Sequence, residues 1–372
     1  GLAIARDSSN FVGLFGVIAA DGEVRDITLS TVSVDGGFKT GGLAGESAGV
    51  VTGVTVSGSV TGTNQVGGLV GRVGTPGTVR ASSAMGTVGG TGTTGGLVGW
   101  NDGTVQGSSA DSTVTSEGAV TGGLVGRNEG TITGATASGI VKSPERTGGL
   151  VGDNRGIVRD STTDVTVDPP FNIIPLPVRG PGDTAGGLVG QNTGAVTNST
   201  ASGTVYATRQ SGGLVGWNWG GTITESTATV TIRGVSLSQS DEGEIGGLVG
   251  RNERGSVTDS TATVNMTTVD VPSIAIVSGF GGLVGTNYEG TVQSVSAGGS
   301  VTVADGIART GGLVGESIRG SITDATASAT VTGDSEVGGL LGFGFDTTVT
   351  SSSASGDVIG GENVGGLIGQ HD

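Results

Sequence analysis

The 372 residues include 79 Gly but only seven Phe, three Trp and two Tyr, which excludes an ordinary aromatic-rich globular core. Thirty-three acidic residues against 17 basic ones leave a net charge of −16, and only Lys39 and Lys142 are lysines, so nucleic acid is not an expected partner: neutralising phosphates takes a basic stripe. The chain has no Cys and a single His, His371, which removes disulfides, thiol nucleophiles, Ser-His-Asp triads and every Cys/His metal site.

Val, Leu and Ile are spread evenly from end to end, which favours one repetitive body over residues 1–372 and speaks against disorder. Collagen fails because Gly does not recur every third residue. No secretory leader, long apolar span or lipidation motif is expected within the chain, so no direct membrane insertion is expected either. An acidic, Lys-poor surface suits a very salty medium, where counter-ions screen self-repulsion, and a haloarchaeal source is the expectation.

The string Gly-Gly-Leu-Val-Gly or a close variant recurs thirteen times, with its Leu at Leu14, Leu43, Leu69, Leu97, Leu124, Leu150, Leu188, Leu214, Leu248, Leu283, Leu313, Leu340 and Leu367. Most intervals are 26 to 30 residues. Each copy except the last is followed by a stretch with period two, in which Ala201, Gly203 and Val205 face one way while Thr200, Ser202 and Thr204 face the other. Nine of the twelve such stretches carry Ala at one inward column, and the residue before it is Ser or Thr in all twelve. Recurring size and polarity is what stacked turns demand, because each residue sits on its equivalent one turn away.

Each unit therefore reads as three short strands, at Gly-Gly-Leu-Val-Gly, around Thr-Ile-Thr and through Ala-Ser-Gly-Thr-Val. Wound repeatedly, they predict an all-β, right-handed parallel β-solenoid of 12–13 turns, ~60 Å long at strand spacing. Burying one Leu and two or three Val per turn gives ~6–9 kcal/mol, less than the ordering of some 27 residues costs, so a turn is stable only against its neighbours. Asn stands four residues after the Leu in seven copies, Asn101, Asn128, Asn154, Asn192, Asn218, Asn252 and Asn287. It is expected to share the left-handed backbone of the corner glycines and to stack as an amide ladder.

Gly-Gly-Leu-Val-Gly-x-Asn followed by Gly-x-Val/Ile resembles the GLUG motif, found in tandem in bacterial and archaeal surface proteins that include filamentous-haemagglutinin-like adhesins and immunoglobulin A proteases. The resemblance covers essentially the whole chain. It implies an extracellular solenoid rather than any chemistry. Asn is missing after Leu14, Leu43, Leu69, Leu313, Leu340 and Leu367, so the ladder is expected to break near both ends.

Several features invite function. Three residues after the Leu, Arg72, Trp100 and Arg127 fall on successive turns, and Trp217 with Trp219 forms a second aromatic spot. These read either as structural stacking or as a platform for a sugar or protein partner. The long intervals, residues 168–184, 233–245 and 269–280, read as recognition loops on one flank or as tolerated decoration. Asp153, Asp160, Asp164, Asp168 and Asp183 fit a Ca²⁺ site or a glycosidase pair, but acids occur in nearly every turn and a solvated acidic surface is the stronger reading; no cofactor or metal is expected. The Ser/Thr column raises ice binding, against which Met85, Asp111 and Asp164 spoil flatness in the neighbouring column. Sequons stand at Asn198 and Asn265.

The expected function is a non-enzymatic structural or adhesive solenoid at the cell surface, whose partners are itself, head to tail or laterally, or surface glycans and proteins. The visible start and stop suggest either a piece of a larger protein or protomers that stack. A polysaccharide-processing enzyme and a viral tail or fibre component are the rival readings.

Overall fold

The computed structural model describes residues 1–6, 9–168, 183–207, 209–233, 243–267, 276–304 and 306–372. Among these, every regular element is a β-strand. One turn shows the plan: a long strand Ser83–Gly90, a short Thr93–Gly95, a third strand Val98–Asn101 and a fourth, Thr104–Gln106. The next turn repeats it at Ser109–Ser116, Val120–Gly122, Val125–Asn128 and Thr131–Thr133. Equivalent strands pair in parallel with like opposite like, as in Ala84↔Ala110, Val98↔Val125 and Val105↔Ile132.

The chain divides into two compact units, Gly1–Ile173 with Leu188–Gly190, and Ile174–Gly187 with Gln191–Asp372. Each is a pile of such turns, and between them they hold about twelve turns of a parallel β-solenoid. The expected fold class is correct, but a turn has four strands, not three. Gly-Gly-Leu is a corner rather than a strand: Gly95 ends the short strand and Val98 opens the third. A Cβ on Gly95 would lie 2.1 Å from the Val98 carbonyl oxygen, and one on Gly96 2.0 Å from that of Gly123, so neither position admits a side chain.

The corner also organises hydrogen bonds. The Leu124 carbonyl accepts from both Leu97 N (2.8 Å) and Val98 N (2.9 Å), and the Leu150 carbonyl does the same for Leu124 N and Val125 N. In the second unit the Leu248 carbonyl takes Leu214 N and Val215 N, both at 2.9 Å. Every repeat leucine from Leu43 to Leu340 is fully buried, whereas Leu14 and Leu367 are exposed.

The corner asparagines depart from expectation. None of the seven has a positive φ. The left-handed residue lies instead at the bend between the fourth strand and the next long strand. It is Asp26, Gly53, Ala81, Gly107, Gly134 and Asp160 in the first unit, then Asn198, Glu225, Asp259, Ser294, Asp324 and Ser351, all with φ between 47° and 64°. A buried serine follows this bend in many turns and replaces the backbone ladder there. Ser82 Oγ accepts from Val54 N (3.1 Å) and donates to the Arg80 carbonyl (2.8 Å), and Ser226 and Ser260 repeat the pattern.

The bend makes opposite predictions for two turns of the first unit. Gly134→Ala meets open space, its nearest atom 3.9 Å away, so it should cost only left-handed strain, about 1 kcal/mol. Ala81→Gly relieves that strain and should leave stability unchanged or raised by up to about 1 kcal/mol, despite the flexibility Gly adds to the unfolded chain. Denaturation midpoints of the two variants moving in the same direction would contradict this.

Candidate functional site

The outer face of the third strand carries the chain's densest chemistry. In the first unit Glu46, Arg72, Trp100, Arg127 and Asp153 fall in one register column. The predicted neighbours Arg72, Trp100 and Arg127 are thus brought together. The Arg127 guanidinium stacks 4.7 Å from the Trp100 ring centre, and Trp100 Nε1 donates to Asp102 Oδ1 at 2.7 Å. Arg72 pairs with Asp102 (2.6 Å) and Glu46 (3.4 Å), and Glu46 with Lys39 (2.6 Å).

Asp153, expected to face solvent, is 1% exposed. Arg127 and Arg155 each lie 3.1 Å from its Oδ2 and Arg146 3.9 Å, which is how a buried carboxylate is made tolerable. Gln191, Thr286, Glu316 and Phe343 at the equivalent position are likewise buried, and Arg309 lies against both Glu316 and Phe343.

In the second unit Trp217 and Trp219 stack with ring centres 5.6 Å apart and planes 16° off parallel. Trp219 is 49% exposed, and among the described residues nothing accepts from the buried Trp217 Nε1. Arg251, paired in register with Trp217, bonds Glu244 and Glu253 and lies 5.4 Å from the Tyr288 ring centre, whose other neighbour is Arg319 at 5.1 Å.

Burial pushes the Glu244 carboxyl above its ordinary value even though Arg251 and Gln210 pull it down. Burial works against the Arg251 charge, but Glu244 and Glu253 outweigh it and its pKa is raised. Hydrogen bonding from Arg254 holds Glu289 below the ordinary value.

Behind this face runs the amide ladder. Asn101 Nδ2 donates to Asn128 Oδ1 (2.7 Å) and Asn128 to Asn154 (2.8 Å); in the second unit Asn192, Asn218, Asn252 and Asn287 are linked at 2.8 Å each. All seven are fully buried. Each amide also bonds a glycine carbonyl, two residues on at Gly103 and Gly130 and three on at Gly221, Gly255 and Gly290. The extra residue takes the left-handed conformation, as Gly220, Arg254 and Glu289. Where the asparagines stop, hydroxyls continue the line: Asn287 donates to Ser317 Oγ (3.4 Å) and Thr347 Oγ1 to the same atom (3.1 Å).

The four predicted carboxylates of the first unit do not converge on one cleft. Asp153 is clasped by guanidinium groups, Asp160 forms the left-handed bend, Asp164 faces outward from a long strand and Asp168 pairs with Lys142 at 3.2 Å. Asp183 is buried in the second unit. Asn198 sits on an exposed bend and Asn265 on the outer face of a long strand. Most of the three long intervals lies outside the described residues; what flanks each is the end of a long strand and the start of a short one. The serine after the bend escaped sequence reasoning, although its recurrence two residues before the inward Ala, as in Ser82, Ser108 and Ser199, was the available sign.

Four segments, residues 182–206, 207–233, 241–269 and 306–332, match the family described as the GLUG motif, so the family match is narrower than the whole-chain resemblance. Halomucin of Haloquadratum walsbyi (strain DSM 16790 / HBSQ001) is 46% identical over 70 residues, which are 19% of this chain and 1% of that protein. The chain therefore spans a small fraction of the relative it matches. No solved structure matches.

Asn128→Ala removes a buried donor and acceptor from mid-ladder and should lower stability by about 1–3 kcal/mol, read as a shifted denaturation midpoint; an unchanged midpoint would remove the ladder from the stability argument. Glu244 has the opposite pH sign from a simple salt bridge. Its folded state holds the proton more tightly, so its contribution is complete below the ordinary value of 4.5 and is lost as pH rises through the raised folded value. Glu244→Gln should therefore gain on the wild type as pH rises above 4.5. A stability difference flat in pH would refute the assignment.

Proposed function

We propose, from the premise that the chain is a GLUG-motif repeat protein, that it is a non-catalytic structural and adhesive element on the extracellular surface of a halophilic cell. The observation that carries this reading is the repetition itself: the Leu carbonyl and the Asn amide make the same bonds turn after turn, which builds a stiff scaffold rather than a cleft. The net charge of −16 and the kinship with a protein from Haloquadratum walsbyi support the halophilic setting. A polysaccharide-processing enzyme would need free carboxylates facing each other, whereas Asp153 and Asp168 are held by cations. Trp219, half exposed and backed by Trp217, is the aromatic surface offered to a partner, whether a surface glycan, a protein or another copy of the chain.

Protease treatment of intact producing cells tests the location. Fragments of this chain should appear in the released fraction while a cytosolic marker stays inside. Protection of the chain until the cells are lysed would overturn the proposal.

A further inference from the structure

The second unit carries a groove that involves neither the Trp pair nor the ion pairs. It lies on the long strands Thr200–Tyr206, Thr227–Arg233, Thr261–Thr267 and Ser296–Thr302, which pair in register. Its volume is about 440 Å³; Thr229, Thr231, Thr263, Asn265 and Ser300 line it between Gly203 and Gly299, with Val230 and Val264 forming its floor. The two glycines stand where the intervening turns carry Val230 and Val264, both buried.

The chemistry of the lining is unusual for this chain. In a molecule of net charge −16, none of the lining side chains ionises. The outward column that reads Ser57, Met85, Asp111, Ser138 and Asp164 in the first unit, with two carboxylates, reads Ser202, Thr229, Thr263 and Gly298 here. Each hydroxyl and the carboxamide can both donate and accept. Ser300 Oγ donates to Asn265 Oδ1 at 3.2 Å, which orients that amide and leaves its Nδ2 hydrogens for a ligand. Equivalent groups recur every ~4.8 Å from turn to turn and every ~6.7 Å along a strand. A ligand that matches such a lattice is extended, periodic, uncharged and rich in groups that both give and take hydrogen bonds. Anionic polymers meet no lining cation, and a small metal ion meets no carboxylate.

We propose that this groove binds a neutral polysaccharide chain lying across four turns of the second unit. The proposal rests on the adhesive reading and names the class of its partner. The direct test is retention of the purified chain on insoluble cellulose and on chitin in molar salt, where charge attraction is screened. The comparison is the double variant Thr263→Val with Asn265→Val, which puts a β-branched residue at both strand positions and removes two of the five polar side chains of the lining. A second pair, Thr104→Val with Thr131→Val on the outer face of the first unit, serves as control, with far-UV circular dichroism verifying the fold of all three. Wild type and control should be retained on at least one of the two glycans, and the groove variant about tenfold less. Equal retention of the groove variant, no retention of the wild type on either glycan, preferential retention on alginate beads, or thermal hysteresis without glycan retention would each overturn the proposal. Since the readout uses purified protein, it stands or falls separately from the cell-surface location.

Discussion

Everything in the structure follows from the fact that a turn cannot satisfy its own backbone. A single turn of short strands leaves its N–H and C=O groups pointing along the stack, and only the next turn supplies their partners. The parallel register that satisfies them also places each side chain on its equivalent, so the composition of a column is constrained more tightly than that of any one turn. Apolar columns gain from this, as the buried leucines show. Ionisable columns would suffer, because like charges at strand spacing repel. The third-strand column Glu46, Arg72, Trp100, Arg127, Asp153 resolves the conflict by alternating acid, base, ring, base and acid.

The same constraint explains which parts of the fold were legible. Columns that must keep one residue type, Gly95 with Gly96 and the leucine after them, are visible as a repeat, and they carry the parallel solenoid with them. The left-handed bend is not, because its requirement is a backbone angle rather than a side chain. Ala81, Glu225 and Ser294 all meet it, so the column looks variable while its geometry is constant. The short second strand was lost for a related reason: Thr93–Gly95 is three residues long and ends inside the motif, so the eye takes corner and strand together. Asn was legible as a ladder but not in its conformation, since the amide's value here lies in hydrogen bonds reaching in two directions. At the candidate site, adjacency was legible from register alone, whereas the burial of Asp153 depends on Arg146 reaching in from the preceding short strand and Arg155 from the bend after Asn154, which no single column reveals.

Tolerance is built into the ladder. In the second unit several turns carry one more residue between the Asn and the following Gly, yet Asn218 and Asn252 still find the glycine carbonyl, at 3.0 and 3.2 Å. A residue in the left-handed region, Gly220 or Arg254, absorbs the extra length, so the next strand resumes in register. The buried amide thereby acts as a ruler that fixes where the fourth strand starts, whatever the length of the bend before it.

Polarity is divided between faces with different responses to salt. The third-strand face holds ion pairs, and the long-strand face of the second unit holds hydroxyls. At molar ionic strength the screening length falls to about 3 Å, so an open pair such as Arg254 with Glu289 contributes little there. Asp153 keeps its three guanidinium partners because water and ions do not reach it, and the asparagine ladder is neutral and fully buried. The stabilising interactions that survive concentrated salt are therefore the apolar columns, the amide ladder and the inter-turn backbone bonds, and the acidic surface is free to carry its net charge at small cost. A neutral hydroxyl-lined groove belongs with that design, since its hydrogen bonds do not depend on an electrostatic field that the medium removes.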